Sequence, residues 1–355
     1  PSGLWVTINL MGRMNSYPSA RAVLVKLQAH PVEEVAKWAG YALARRPQTQ
    51  PAAKPGTAPT TTGPTTEPAN VKRVETPEGW YALEGVTKPP VPKAPKKVFV
   101  IPVREPISSK TFDAMERKAR QARQEGAELI VLDMDTWGGE VLAAMDIGRL
   151  LRDELSDIYT VCYVRTRAIS AGAMTAIACN EIVMTPDGIL GDAAPVSAGG
   201  TLAGVEREKI ETVIRSVAEF SRKNGYPAAL AEAMVSADLE AWRIHNRVTG
   251  ELRYVLREKW SGRVAVPPGV SSAPSAPASD WELLEVVVPS GRLLTMNADK
   301  AVAYGFASSI IKAPRDKPLQ GLMERFGARS EPIVLEDTWS EELAEFLIVR
   351  LLMNP

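Results

Sequence analysis

The chain has 355 residues and 45% apolar content, which is enough for one large folded domain with appended segments. Its 42 basic and 42 acidic residues cancel, so the charge balance gives no reason to expect nucleic-acid binding. No apolar run reaches the roughly 18 residues that a membrane-spanning helix needs. Cys162 and Cys179 lie in apolar stretches that indicate buried thiols, so the sequence predicts no disulfide framework, no cofactor and no metal centre.

The first 96 residues are predicted to lie outside the main domain. Residues 1–46 show helical periodicity, clearest between Val32 and Leu43, and resemble part of a HEAT-type repeat, which we expect to be a remnant or a docking piece. Residues 47–96 are rich in Pro, Thr and Ala and are predicted to be a disordered linker, with a proline-rich adaptor ligand as the alternative. Because the chain opens at Pro1 without a signal pattern, we expect a fragment or a processed form.

From residue 97 onward, short apolar strands alternate with helical patterns. Strands are predicted at 97–103, 128–132, 159–164 and 181–185, and helices at 108–125, 141–155 and 173–179. Such alternation predicts a layered α/β fold of repeated strand-helix units. A loop rich in Ala, Ser and Gly at 193–204 is expected to line or gate a cleft, and a helix is predicted to follow at 209–220.

Ser170 stands in a turn of small residues, Arg-Ala-Ile-Ser-Ala-Gly-Ala at 167–173, between a predicted strand and a predicted helix. A turn of this kind leaves the hydroxyl at the positive end of the helix, where free backbone N–H groups can stabilise a developing negative charge. An acyl-transfer nucleophile requires such a setting. The alternative is that Ser170 simply caps a tightly packed helix.

A second turn, Asp-Met-Asp-Thr-Trp-Gly-Gly-Glu at 133–140, follows the preceding strand. Glycine lacks a side chain and tolerates positive φ, so a backbone can approach a ligand closely there. The N–H of Gly139 is therefore predicted to join the N–H of Ala171 in an oxyanion hole. The alternative is a plain strand-to-helix turn capped by Asp135 or Thr136.

The segments Asp-Thr-Trp-Gly-Gly at 135–139 and Ala-Ile-Ser-Ala-Gly-Ala at 168–173 together resemble the NfeD-type membrane-bound serine proteases. These are relatives of the Clp protease and signal peptide peptidase within the Clp/crotonase fold. The resemblance runs from about residue 98 to residue 311 and implies a Clp/crotonase-like fold. The family usually has proline where this chain has Trp137, so we expect that side chain to affect substrate fit beside the oxyanion hole.

The serine needs a base, and the chain has only two histidines. His30 lies in the N-terminal segment, and His245 lies in a strand-like run that is predicted to form a hairpin around Thr249 and Gly250. His245 is predicted to be a surface strand residue. A Ser-Lys pair, in which burial keeps the lysine neutral, is therefore favoured over a Ser-His-Asp triad.

In the resembled family the general-base lysine lies near the start of the helix after the flexible loop, and Lys209 is the matching residue. The alternative is that Lys209 is an exposed lysine paired with Glu206 or Glu211. Lys223 is a weaker candidate, because its neighbours predict a solvated helix end.

The predicted protease domain covers residues 97–313, with a hairpin and a loop insertion at about 240–280 that includes the Pro/Ser/Ala segment 267–279. Residues 314–355 form the predicted C-terminal helical segment, with an amphipathic stretch at 341–353. The resemblance implies that membrane helices follow the protease domain, so we expect this segment to lead towards a bilayer. An ordinary packed terminal helix is the alternative.

These observations predict a serine endopeptidase in which Ser170 attacks, Lys209 accepts the proton, and Gly139 and Ala171 hold the oxyanion. The resemblance implies a peptide from an apolar segment of a membrane protein as substrate, with a stomatin-like protein as a candidate partner. It also implies a homo-oligomer that is membrane-associated, with the protease domain outside the cytoplasm in the bacterial periplasm. A crotonase-type acyl-CoA enzyme and a catalytically inactive scaffold are the alternatives.

Overall fold

The computed structural model describes residues 89–196, 206–260, 264, 280–312, 314 and 316–336. The described residues belong to two compact units. The sheet unit comprises those within Ala82–Ala193, Ser216–Pro227 and Thr295–Pro355, and the hairpin unit those within Ala194–Arg215 and Ala228–Leu294. The predicted segments 1–46 and 341–353, the loop 267–279 and most of the linker 47–96 lie outside the described residues.

The helices and strands follow one another from residue 98 to residue 334. In chain order they are β1 Val98–Val103, α1 Ser109–Gln124, β2 Leu129–Thr136, α2 Val141–Arg149, β3 Tyr159–Ile169, α3 Ala171–Ala178, β4 Glu181–Met184, β5 Ile189–Gly191, α4 Arg207–Asn224, α5 Ala228–Val235, β6 Ala241–Asn246, β7 Leu252–Leu256, β8 Trp281–Val288, β9 Thr295–Asn297, α6 Ala298–Ala303, β10 Ala307–Ile310, α7 Gln320–Phe326 and β11 Ile333–Val334.

The sheet unit is built on an eight-stranded sheet, as far as the described residues define it. Its strand order is β10-β4-β3-β2-β1-β11, with every neighbouring pair parallel. Beyond the end of β4, β5 takes over as the neighbour of β3 and pairs antiparallel with β9. Because parallel neighbours need crossover connections, the helices α1, α2 and α3 fall between successive strands, where they pack beside one another.

β2 is the central strand of this arrangement. Its apolar run Leu129–Leu132 is buried, because packed elements cover both faces of a sheet of this kind. Side chains alternate between the two faces: Val131 shares an apolar cluster with Leu322 of α7, whereas Thr136 meets Gly172 of α3 on the other face. The predicted α/β class with repeated strand-helix units is confirmed.

The helix ends follow local sequence signals. Ser108 caps α1 by accepting a hydrogen bond from the N–H of Thr111 at 3.3 Å, and α7 ends at Gly327, which adopts the left-handed conformation with φ +65°. The predicted helix 141–155 differs from the structure at its end, because α2 stops at Arg149 and a π-helical turn continues over Leu150–Glu154.

The hairpin unit contains an antiparallel sheet in the order β7-β6-β8. The predicted hairpin around Thr249 and Gly250 is confirmed, since β6 and β7 pair directly on either side of it. One face of this sheet carries an apolar cluster around Ile244, with Trp260 and Trp281 in edge-to-face contact at 5.5 Å between ring centroids.

None of the helices in the described ranges combines the length and the apolar character that a bilayer crossing needs.

Candidate functional site

Ser170 occupies a strained turn between β3 and α3. Its backbone has φ +56° and ψ −122°, a conformation that residues other than glycine rarely adopt. The Ser170 N–H donates to the carbonyl of Gly191 at 3.2 Å, and the Ser170 carbonyl accepts from the N–H of Ala173 at 2.9 Å. Ser170 is half-buried, and its hydroxyl makes no capping hydrogen bond to the first turn of α3. The hydroxyl is therefore not used to cap the helix.

The two glycines after β2 are held against Ile107, which follows β1, and against Ser170. The N–H of Ile107 donates to the carbonyl of Gly138 at 2.9 Å, and the N–H of Glu140 donates to the carbonyl of Ile107 at 2.7 Å. A Cβ at Gly139 would overlap the Ile107 carbonyl, so only glycine fits this bridge. Glu140, rather than Asp135 or Thr136, is the N-cap residue of α2, and it makes no side-chain capping bond.

The direction of the Gly139 N–H follows from this bridge. A trans peptide directs its C=O and N–H to opposite sides. Because the carbonyl of Gly138 points towards Ile107 on the β1 side, the N–H of Gly139 points towards β3, the strand that ends at Ser170. Within the described residues, neither this N–H nor that of Ala171 donates to an acceptor. The arrangement therefore offers two free donors beside the hydroxyl, as an oxyanion hole requires.

Thr136 fixes the start of the glycine turn, a role that the sequence analysis did not assign. Its hydroxyl donates to the carbonyl of Glu105 at 3.0 Å and accepts from the N–H of Gly138 at 3.2 Å. A Cβ at position 172 would lie only 2.7 Å from the methyl group of Thr136. This clash explains why glycine follows Ala171.

Ion pairs between β2 and β3 border the two turns on the α7 face of the sheet. Buried Asp133 contacts Arg165 Nε at 2.5 Å and Arg104 at 3.0 Å. Asp135 accepts from Arg167 Nε at 2.6 Å. These pairs were not predicted from the sequence. The available signal was two acids at 133 and 135 and two arginines at 165 and 167, each pair two residues apart and just beyond a predicted strand.

Trp137 directly precedes the two glycines and has a partner that the sequence did not reveal. The Arg167 guanidinium stacks on its ring, 4.5 Å from the ring centroid. Trp137, Arg167 and Asp135 thus form a connected group that joins the end of β2 to the end of β3.

Lys209 lies in the first turn of α4, within the hairpin unit, whereas Ser170, Gly139 and Ala171 come together within the sheet unit. The Lys209 side chain is 69% exposed, and its ammonium pairs with Glu206 at 3.4 Å. An exposed lysine paired with Glu206 was the predicted alternative to a general base at this position.

The other two candidate bases differ from their predicted settings. Lys223 is not a solvated helix-end residue: its ammonium donates to the Arg152 carbonyl, and burial lowers its pKa. The next residue, Asn224, donates to the Ile177 and Ala178 carbonyls at the C-terminal end of α3. Because Ser170 precedes the N-terminal end of this eight-residue helix, about 12 Å of helix separates the two places.

His245 was predicted to lie on the surface and is instead buried, at 5% exposure. Its Nδ1 lies 2.9 Å from Glu282 Oε1 on the neighbouring strand β8, and it belongs to the hairpin unit. The surface prediction failed because it considered a single strand, whereas β7 and β8 flank β6 on both sides.

The thiols occupy the buried positions predicted for them. Cys162 and Cys179 are fully buried, and burial, with the neighbouring Cys179 thiol, raises the pKa of Cys162. In the described part of the chain, no group of three His, Cys, Asp or Glu side chains is placed to bind a metal ion.

A match to a known family covers the part of the chain that contains both turns. Residues 97–259 match the family described as NfeD1b, N-terminal domain. The membrane protein NfeD1b of Bacillus subtilis (strain 168) is 27% identical over 257 residues, which is 72% of this chain and 47% of that protein. The membrane-bound protease PH1510 of Pyrococcus horikoshii is 29% identical over 148 residues, 40% of this chain and 33% of that protein.

A solved structure of the 1510-N membrane-bound stomatin-specific protease with a substrate peptide has a TM-score of 0.48 at 18% identity, covering 72% of this chain and 98% of that one. The chain spans less than half the length of the two curated relatives that it matches. Residues 97–259 are thus similar to the NfeD1b N-terminal domain, and the NfeD resemblance predicted from the motifs at 135–139 and 168–173 is confirmed.

Proposed function

We propose that this chain is a serine peptidase with Ser170 as nucleophile and the N–H groups of Gly139 and Ala171 as the oxyanion hole. The observation that carries the proposal is the strained Ser170 turn, whose uncapped hydroxyl stands next to two backbone N–H groups without acceptors among the described residues. Strain of this kind clusters at active sites, because a reactive group must be held in a geometry that the chain alone disfavours. The similarity to a membrane-bound protease supports the same reaction class.

In the proposed mechanism, the Ser170 oxygen attacks the scissile carbonyl carbon while its proton passes to Lys209. The carbonyl oxygen becomes an oxyanion that accepts hydrogen bonds from Gly139 and Ala171. When the tetrahedral intermediate collapses, the C–N bond breaks and Lys209 returns the proton to the leaving amine. Water then hydrolyses the acyl-enzyme by the same route.

Lys209 can accept the proton only when its amine is neutral. The proposal therefore requires that Lys209 lose both its contact with Glu206 and its exposure to water before Ser170 attacks. Substrate binding or subunit assembly would have to supply that burial.

The proposal also covers the substrate, the partner protein and the cellular location. One relative is named as a protease specific for stomatin, so we propose a peptide from an apolar segment of a stomatin-like membrane protein as the substrate. Because the relatives are named as a membrane protein and a membrane-bound protease, the chain would act beside a membrane through regions outside it. We further propose a homo-oligomer with its protease domain in the bacterial periplasm.

The acyl-CoA alternative needs an acidic side chain that is free to transfer a proton. The two acids on β2 beside the turn, Asp133 and Asp135, are instead engaged by arginines. This pairing counts against Asp133 and Asp135 as the proton-transfer groups of an acyl-CoA enzyme.

The test is incubation of the chain with a mixture of peptides, with mass spectrometry used to find new amino termini. We expect cleavage by the wild type and none by Ser170→Ala. Crotonyl-CoA turnover without peptide cleavage would favour the acyl-CoA enzyme. If the chain consumed neither the peptides nor crotonyl-CoA, the scaffold would be favoured.

A further inference from the structure

We propose that Asp135, Arg167 and Trp137 are positioning residues that hold the glycine turn in register with Ser170. This inference rests on the proposed function of Ser170. It adds that the geometry of the oxyanion hole depends on the side-chain contacts that Arg167 makes with Asp135 and Trp137. These contacts join β2 to β3 and are called the brace below.

The brace lies where the backbone ladder between the two strands is interrupted. Met134 of β2 pairs with Val164 of β3, and the next pair is Thr136 with Ala168. Asp135 alone therefore stands opposite the three residues 165–167, which form a bulge in β3. The regular hydrogen bonds that would fix the two strands are lost at the point where each strand turns towards the site.

Side chains span this gap. Arg167, at the end of the bulge, reaches back to Asp135 Oδ1 with its Nε at 2.6 Å and lays its guanidinium over the Trp137 ring. Both charged side chains are only about a third exposed or less, at 27% for Arg167 and 32% for Asp135. A planar guanidinium can bond with its edge and stack with its face at the same time, which lysine cannot do.

Apart from the close contact between Gly138 and Ser170, the glycine turn has few restraints on the β3 side. Gly138 and Gly139 have no side chains, so Trp137 is the last residue before Glu140 that can anchor the turn through a side-chain contact. On the β1 side, the backbone of Ile107 brackets the glycines with two hydrogen bonds. On the β3 side, the stack between Trp137 and Arg167 provides the corresponding restraint.

Loosening this restraint would let the peptide between Gly138 and Gly139 rotate. The Gly139 N–H would then leave the position where the oxyanion develops, while the Ser170 hydroxyl stayed in place. The bond-forming step would therefore slow with little change in the binding of a small reagent. Trp137, whose predicted effect was on substrate fit, gains a second role in this account.

The test is saturation labelling with a fluorophosphonate probe whose activity is verified on a known serine hydrolase. In this reaction the Ser170 oxygen bonds to phosphorus, fluoride leaves, and the hydroxyl proton passes to the base. The limiting rate kinact reports this step, and KI reports binding. We expect Arg167→Gln and Trp137→Ala to lower kinact about 10- to 100-fold, the range that small misplacements cause, with KI near the wild-type value. Trp137→Phe, which keeps an aromatic face, should restore most of kinact.

Arg165→Gln is the matched control, because it makes the same change at the other end of the bulge and breaks a contact with buried Asp133. It should lower the melting temperature at least as much as Arg167→Gln and leave kinact close to wild type. Wild-type kinact in Arg167→Gln and Trp137→Ala, or equal loss in Arg165→Gln, would overturn the brace while the proposed function stood. A wild-type protein that the probe does not label would overturn both.

Discussion

Gly138 and Ser170 approach so closely that no side chain fits between them. A Cβ at position 138 would stand 2.5 Å from the Ser170 Cβ and 3.0 Å from the Ala171 nitrogen. The backbone of Gly138 also has φ +103°, which side chains disfavour. A side chain at position 138 would therefore have to displace either the glycine turn or the serine turn.

This contact predicts the outcome of Gly138→Ala. The added methyl group must push the glycine turn away from Ser170, which displaces the N–H of Gly139. We expect fluorophosphonate labelling of Ser170 to fall by about 100-fold or more, as after loss of an oxyanion donor. The measurement is the labelling rate, followed by intact-protein mass.

Gly291→Ala is the control for backbone strain alone. Gly291 has φ +85°, and nothing lies within 4 Å of a Cβ there. This variant should lose about 1 to 2 kcal/mol of unfolding free energy in urea and label at the wild-type rate. Equal labelling of Gly138→Ala and Gly291→Ala would refute the packing argument.

The nucleophile and the proposed base should behave as a unit. Ser170→Ala and Lys209→Ala are each expected to abolish peptide cleavage without unfolding, and the double variant should be no worse than either single one. Because the amine must be neutral to accept a proton, cleavage should rise with pH. Substantial cleavage by Lys209→Ala would require another base, which His245→Ala would test first.

Lys223 gives a stability prediction with a defined sign. Burial lowers its pKa from the usual 10.5, so over the pH range between the folded and unfolded values the unfolded chain holds more protons. The free energy of unfolding of the wild type, relative to Lys223→Met, should therefore increase as pH rises towards 10.5. Paired urea titrations across alkaline pH measure this difference, and a relative decrease would contradict the assigned burial.

Lys223→Met should also label at the wild-type rate, because its neighbour Asn224 contacts the far end of α3 from Ser170. A large loss of labelling would make Lys223 a candidate for the base.

The buried carboxylate of Glu181 predicts a strong effect at Arg325. Glu181 is fully buried on β4 and is contacted by Arg325, Ser308 and Tyr159. Arg325→Ala leaves a buried charge without its partner and should cost about 3 to 5 kcal/mol of unfolding free energy. Adding Glu181→Gln to Arg325→Ala should recover part of that loss. Denaturant titration checks both, and a double variant that is less stable than Arg325→Ala would argue against an uncompensated charge.

The two turns could be predicted from sequence because their signals are local. Glycine at 138 and 139, and small residues around Ser170, reflect steric demands that a few neighbouring residues impose. The alternation of apolar strands with helices likewise gave the fold class, since it depends on periodicity alone.

Contacts that depend on register could not be predicted. β2 was expected to end at residue 132, where its apolar run ends, yet it continues to Thr136, and Arg165 and Arg167 pair with the acids of the added stretch. The partner of each acid is set by a bulge in β3 that periodicity does not reveal. Burial of His245 and Lys223 similarly depends on residues distant in sequence, Glu282 and Arg152.

The central claim is that Ser170 is a nucleophile held beside an oxyanion hole. The most direct measurement is tandem mass spectrometry of the chain after reaction with a fluorophosphonate. We expect one adduct, on Ser170, that is absent from Ser170→Ala. An unmodified chain, or an adduct on another residue that persists in Ser170→Ala, would contradict it.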